Sequence, residues 1–140
     1  MGTRLLRSHD DGCNLANWAA FETESGEFRP ERLKRDLALY RKHGITALPV
    51  LLNTDFPVKT RPWMQETFPD YVIRKSTFTS ASQDKAVRIH LPPDDLFRRY
   101  VRAFVEAGGA DFPVIEVFNE AQFHLTPQQY MRYLKIASDE

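Results

Sequence analysis

In the stretch VFNEAQF (117–123) an amide and a carboxylate, Asn119 and Glu120, stand side by side where a short apolar run ends. A carboxylic acid at such a place acts as a general acid/base when its surroundings raise its pKa, and the adjacent amide can hydrogen-bond a substrate hydroxyl. The competing reading is structural: Asn119 turns the chain and Glu120 faces solvent. Glu116 lies inside the same run, flanked by Ile115 and Val117. A charge within an apolar strand must be paired or neutralised, so Arg7 or Arg4 on a neighbouring strand is its expected partner, in a structural role.

Other polar groups gather at the ends of two further apolar runs. The first ends LLRSHDDG, where Arg7, His9, Asp10 and Asp11 form a dense cluster. His-Asp-Asp invites a metal reading, and a metal-dependent hydrolase using His9 and Asp10 is one hypothesis, requiring a bound ion. Against it, His9 and Asp10 alternate in direction on an extended strand, and His43, His90 and His124 are scattered rather than set at ligand spacing. Arg7 and His9 share a face and read better as hydrogen-bonding groups for a polar substrate or as supports for an acid. No metal and no cofactor are expected. The second run ends LLNTDFP, where Asn53 and Asp55 are candidates for substrate contact or for a turn. Further on, Trp63, Phe68 and Tyr71 offer flat faces on which a sugar ring could stack, although loop aromatics also serve to pin a loop to the body. Cys13 has no nucleophile signature near it and reads as a buried thiol. AGGADF follows a helix rather than a strand, which argues against a phosphate-binding loop.

The elements that must position these residues alternate. Leu33, Leu37 and Tyr40 recur at helical spacing in PERLKRDLALYRKHG, with Pro30 at the first turn and Gly44 as the stop. PDDLFRRYVRAFVEAGG carries Leu96, Phe97, Tyr100, Val101, Phe104 and Val105 on one stripe and ends at Gly108-Gly109. TPQQYMRYLKIASDE begins with Thr126, Pro127 and Gln129 as cap, first-turn proline and capping-box partner. Short apolar runs precede each helix, at 3–9, 45–53 and 112–120, which predicts strands in the order β-α-β-α-β-α and a parallel sheet. Helix-to-strand links are tight. Strand-to-helix links are long, above all 53–92, and such loops at the carboxyl ends of strands carry the site in a barrel or a doubly wound sheet.

Composition narrows the partners. Lysine plus arginine and aspartate plus glutamate number 19 each, and the two signs are interspersed, so nucleic acid and anionic membrane are disfavoured. The lone cysteine excludes an internal disulfide. MGTRLLRSHDD lacks the apolar core of a signal peptide, no run is long enough to span a bilayer, and the chain reads as soluble. The 140 residues suit one domain. The first strand begins close to Met1, however, and the last helix reaches Glu140 without a stop, while an isolated three-strand parallel sheet leaves two bare edges. Part of a larger fold, or a half that pairs with a second chain, is therefore expected.

In these segments the chain resembles the clan A glycoside hydrolases, retaining (β/α)8 enzymes whose fourth strand ends in a motif like W-E-I-W-N-E-P. The corresponding stretch here is Ile115-Glu116-Val117-Phe118-Asn119-Glu120-Ala121, with Phe118 where tryptophan is usual and Ala121 where proline is usual. LFRRYVRAFVEA and TPQQYMRYLKIASDE are similar to the helices before and after that strand. WAAFETESGEFRPERLKRDLALYRKHGITALPVLL (18–52) is similar to the family's W-x-x-x-E-x-x-x-G-x-[FY] stretch with its second helix and third strand. RPWMQETFPDY resembles the P-x-W loops of the β-galactosidase-like and xylosidase-like branches.

The resemblance implies an α/β fold, a partial (β/α)8 TIM barrel of three consecutive βα units covering about strands two to four. It implies glycoside hydrolysis with Glu120 as the acid/base that protonates the leaving oxygen, and Asn119 holding the 2-hydroxyl. Arg7 and His9, with Asn53 and Trp63, become candidate contacts to a carbohydrate substrate. The retaining mechanism needs a second carboxylate about 5 Å from the first. In this clan it ends strand seven, beyond Glu140, so these residues alone are expected to show no turnover. The non-enzymatic alternative is a carbohydrate-binding or scaffold fragment of the same fold.

Overall fold

The structure is a computed structural model that describes residues 4–8, 15–52, 61–68, 70–73, 87–119, 121 and 125–140, with backbone only at 52, 70–73 and 87–90. Its centre is a parallel sheet of β1 (Leu5–Ser8), β4 (Thr46–Leu52) and β7 (Glu116–Phe118), in the order β1-β4-β7. All three strands fall within the apolar runs that predicted them. Arg7 lies opposite Leu48 in the β1–β4 ladder, and Val50 lies opposite Glu116 in the β4–β7 ladder.

Helix α2 (Glu31–Lys42) crosses from β1 to β4, α4 (Asp94–Gly108) crosses from β4 to β7, and α5 (Pro127–Asp139) follows β7. The strands are added in chain order on one side, and α2 packs on α4 and α4 on α5. With right-handed crossovers this puts the helices in one layer on one face of the sheet. Gly44, at φ +64, ends α2 in the left-handed conformation that an L side chain resists. Gly108 has a different use: a Cβ there would come within 2.7 Å of Leu37 Cδ1, so its bareness lets α4 approach α2. At the start of α5 the capping box forms as the sequence predicts, Gln129 N donating to Thr126 Oγ1 and Thr126 N to Gln129 Oε1.

Period two divides the sheet into two faces. Ala47 and Leu51 of β4 and Val117 of β7 are buried in the helix-side core, and Ser8 is buried on the same face of β1. The opposite face carries Leu5 and Arg7, then Thr46, Leu48 and Val50, then Glu116.

The long connections contain structure that periodicity did not reveal. The first holds a single helical turn, α1 (Trp18–Phe21), and a small hairpin, β2 (Glu22–Glu24) with β3 (Glu27–Phe28). The second holds α3 (Pro62–Thr67) and an antiparallel pair, β5 (Asp70–Ile73) with β6 (Val87–His90). These elements are too short for a helical or alternating pattern to stand out. Aromatic contacts bind α1 and the β2–β3 hairpin to the helix layer. Trp18 stacks on Tyr100 with centroids 4.3 Å apart and touches Phe68 and Phe97, while Phe21 meets Phe28 and Phe104. Tyr133 of α5 meets Phe97 edge-on, and its hydroxyl donates to Pro92 O at 2.7 Å.

One carboxylate is sealed inside this cluster. Glu22 is fully buried and accepts from Trp18 Nε1 at 2.5 Å, from Gly26 N at 2.6 Å and from Arg99 Nη2. The geometry accounts for the W-x-x-x-E-x-x-x-G-x-F spacing. One helical turn brings Trp18 and Glu22 together, and Gly26, at φ +85, turns its N–H back to the carboxylate within the hairpin. At the far end of the helix layer, Arg98 and Arg102 both donate to Glu140, docking α5 on α4. The hydrogen bonds from Arg102 and then Arg98 hold the Glu140 carboxyl below its ordinary range. Among the described residues no helix is long and apolar enough to cross a membrane.

Glu22→Ala leaves the Trp18 indole without its acceptor and the Arg99 guanidinium with Ser25 Oγ in place of a carboxylate, and the expected loss is about 3 kcal/mol in urea unfolding, with Glu22→Gln intermediate. Tyr100 supplies a second expectation. Its hydroxyl donates to Ala16 O, and burial first, then the Glu22 charge, raise the phenol pKa well above 10.0. The folded state thus holds this proton more tightly than the unfolded chain. The stability Tyr100 contributes is complete below pH 10.0 and declines as pH rises past it. Thermal melts between about pH 8 and 12 should show a smaller alkaline loss in Tyr100→Phe than in the wild type.

Candidate functional site

On the face of the sheet opposite the helices, Arg7 of β1 reaches over β4 to β7. Its Nε donates to Glu116 Oε2 at 2.7 Å and its Nη2 to Glu116 Oε1 at 2.7 Å, a bidentate pair. Nη2 also donates to Asn119 Oδ1 at 2.9 Å. The pairing expected for Glu116 is therefore present, and Arg7 is the partner. Local sequence dictates the parts. Alternation in β1 puts Leu5 and Arg7 on one face and Leu6 and Ser8 on the other, and β7 is short enough that Asn119 follows it directly in a turn.

Burial of the pair is incomplete, with 41% of the Arg7 side chain and 31% of the Glu116 side chain exposed. Coulomb attraction across such a boundary is partly screened by water. The two-point geometry is what makes this contact stronger than an ordinary surface pair, because a planar guanidinium and a carboxylate meet along both N–H···O lines. What the arrangement does chemically is give the Asn119 amide oxygen a charged donor beside a strand end.

Ser8, the residue after Arg7, points the other way and is buried. Its Oγ accepts from Leu15 N at 2.8 Å, tying the returning chain to the end of β1. Neither this bond nor the Glu22 cluster was singled out among the candidate residues. Trp18 and Glu22 four apart were the available signal, since that spacing aligns side chains on a helical turn.

Trp63 lies in α3 and is 9% exposed, its ring edge-on to Phe68 at 6.0 Å. It belongs to the buried core cluster. Phe68 is buried in the same cluster. Glu120, His9 and Asn53 lie outside the described residues, as do Asp10, Asp11, Asp55 and Cys13. Among the described residues no group of three or more His, Cys, Asp or Glu is placed to hold a metal ion.

Beside the pair, an open groove of about 410 Å³ follows β7 and the first turn of α5, lined by Glu116, Phe118, Ala121, Leu125, Thr126 and Pro127, with Tyr130. β7 hydrogen-bonds to β4 alone among the described strands, and the groove runs beside it at that end of the sheet. Two exposed apolar side chains, Val114 and Met131, stand on the segments that flank it, just before β7 and in α5.

No family model, curated protein or solved structure matches the chain.

A double-mutant cycle of Arg7→Ala and Glu116→Ala, read by urea unfolding, should give a coupling energy of about 1 kcal/mol, the upper end for a partly exposed pair. A coupling indistinguishable from zero would show that the two-point contact does not persist in solution.

Proposed function

We propose that this chain forms the acid/base part of a glycoside hydrolase site, acting on O-glycosidic bonds by a retaining double displacement. The observation that carries the reading is the clamp of Arg7 on Glu116 and Asn119. It supports a preorganised amide at the end of β7, next in sequence to Glu120, which is where the resemblance expects a substrate-holding asparagine and an acid. The singly wound sheet with one helix layer supports the wider expectation of three βα units of a barrel, since a closed barrel winds in that manner. In this reading further strands, from the same polypeptide or a second chain, continue the sheet beyond β7.

In this mechanism Glu120 enters protonated and gives its proton to the glycosidic oxygen as the bond to the anomeric carbon breaks. A second carboxylate, outside these 140 residues, attacks that carbon from the opposite side and forms the glycosyl ester. Water, deprotonated by Glu120 as base, then releases the sugar with its original anomeric configuration. Asn119 holds a ring hydroxyl beside the reacting carbon.

The test is turnover of an unactivated β-glycoside by a polypeptide carrying both carboxylates, with product configuration followed by NMR. Glu120→Gln should lower turnover by about 10²- to 10⁴-fold with an unchanged melting temperature. Near-normal hydrolysis by that variant, or an inverted product, removes this mechanism. The 140-residue chain alone should show no hydrolysis.

A further inference from the structure

Trp18 and Trp63 are the chain's two tryptophans, and their indole N–H groups have opposite surroundings. Both rings are buried, with 1% of Trp18 and 9% of Trp63 exposed. Trp63 Nε1 meets no hydrogen-bond acceptor among the described residues. Trp18 Nε1 donates to Glu22 Oε2 at 2.5 Å, a short charge-assisted contact. The other two donors on this carboxylate, Gly26 N and Arg99 Nη2, both bond Oε1, which leaves Oε2 to the indole. Tyr100 lies flat on Trp18, with centroids 4.3 Å and planes 11° apart, and its hydroxyl donates to the Ala16 carbonyl at 2.7 Å.

These differences bear on one kind of chemistry. Indole and phenol rings give up a single electron to a strong oxidant, and each then becomes far more acidic at its N–H or O–H. In a buried place the positive charge left behind is costly unless the proton has somewhere to go. Trp63 has no acceptor for it. Tyr100 faces a carbonyl, which is a poor base, and burial, then the Glu22 charge, already hold its phenol proton tightly. Of the three rings, Trp18 is the one with a carboxylate in line.

We propose that Trp18 and Glu22 form a one-electron oxidation site, in which an oxidising equivalent reaching the aromatic cluster comes to rest on Trp18 as a neutral indolyl radical. The co-reactant is an outside one-electron oxidant, an inorganic radical or a high-valent metal complex. One electron leaves the Trp18 ring and reduces that oxidant by one unit, while the Nε1 proton crosses to Glu22 Oε2. The site then holds a neutral radical, a neutral carboxylic acid and the Arg99 cation, whose side chain is 36% exposed and keeps its charge within reach of water. Phe68 lies between the two indoles, its ring centroid 5.3 Å from Trp18 and 6.0 Å from Trp63, so a hole formed at Trp63 also has a path to Trp18. Oxidising equivalents are thereby held in the helix-side core, across the sheet from Arg7, Glu116 and Asn119.

The test is laser flash oxidation of the 140-residue chain by tris(bipyridine)ruthenium(III), generated in place with a cobalt(III) acceptor and read by transient absorption and EPR. Wild type and Trp63→Phe should both give the neutral indolyl radical, formed more slowly in deuterium oxide because the proton moves with the electron. Trp18→Phe should lose that signal although Trp63 is intact. Glu22→Gln, shown to be folded by near-ultraviolet circular dichroism, has an amide in place of the base and should lower the indolyl yield about tenfold. If that variant does not fold, the solvent isotope effect in the wild type decides the role of the carboxylate. A neutral indolyl radical that survives in Trp18→Phe, or its absence from Trp63→Phe, overturns the proposal. So does an unchanged yield in folded Glu22→Gln, or an equal rate in the two solvents.

Discussion

The two ladders of β4 are the constraint on which the rest of this molecule depends. Arg7 and Glu116 are separated by 109 residues, and they meet because β4 hydrogen-bonds to β1 on one edge and to β7 on the other in fixed parallel register. A slip of one residue in either ladder would turn Arg7 or Glu116 to the opposite face, into the helix-side core, where an unpaired charge is costly. Register, core composition and the polar cluster are thus one problem with one solution. Val50, fully buried beneath the pair, and Ala47 and Leu51 on the other face hold that register by the apolar surface they remove from water.

Two polar clusters share the fold, and their surroundings make them different devices. Glu22 has no exposure and takes three donors from α1, the hairpin and α4, so it joins three pieces of chain whose separation would strand a charge. The Arg7–Glu116–Asn119 cluster is open to water on one side. Its contribution to stability is accordingly modest, and its consequence is directional: it determines which way an amide faces. Aromatic packing is concentrated in the layer of Trp18, Phe97, Tyr100 and Phe104, whereas the Arg7–Asn119 contact stands at the end of β7. This separation lets residues at the strand ends vary without loosening the core.

Much of the architecture was readable from patterns because those patterns are local. Three helices, their proline starts, the glycines that end the first two, and the capping box of Thr126 and Gln129 follow from spacing and backbone preference within a few residues. Three apolar runs between them sufficed for a parallel α/β sheet. The requirement that a charged residue in an apolar strand find a partner also pointed from Glu116 to Arg7 or Arg4. Elements such as α1 and the β2–β3 hairpin escaped, because a four-residue turn or a two-residue strand is held by contacts such as those of Trp18 and Phe21 with Tyr100 and Phe104 of α4 rather than by its own periodicity.

By itself, then, the sequence determined the order and kind of the long elements, the apolar faces they bury and the polar residue types at the strand ends. Tertiary structure alone decided between Arg4 and Arg7 as the partner of Glu116, placed Trp63 against Phe68 in the core cluster, and set Asn119 Oδ1 against Arg7. The physical reason is that hydrophobic period and backbone propensity are carried within a few neighbouring residues. A hydrogen bond between β1 and the end of β7 exists only after strand order, register and side-chain reach have all been chosen together.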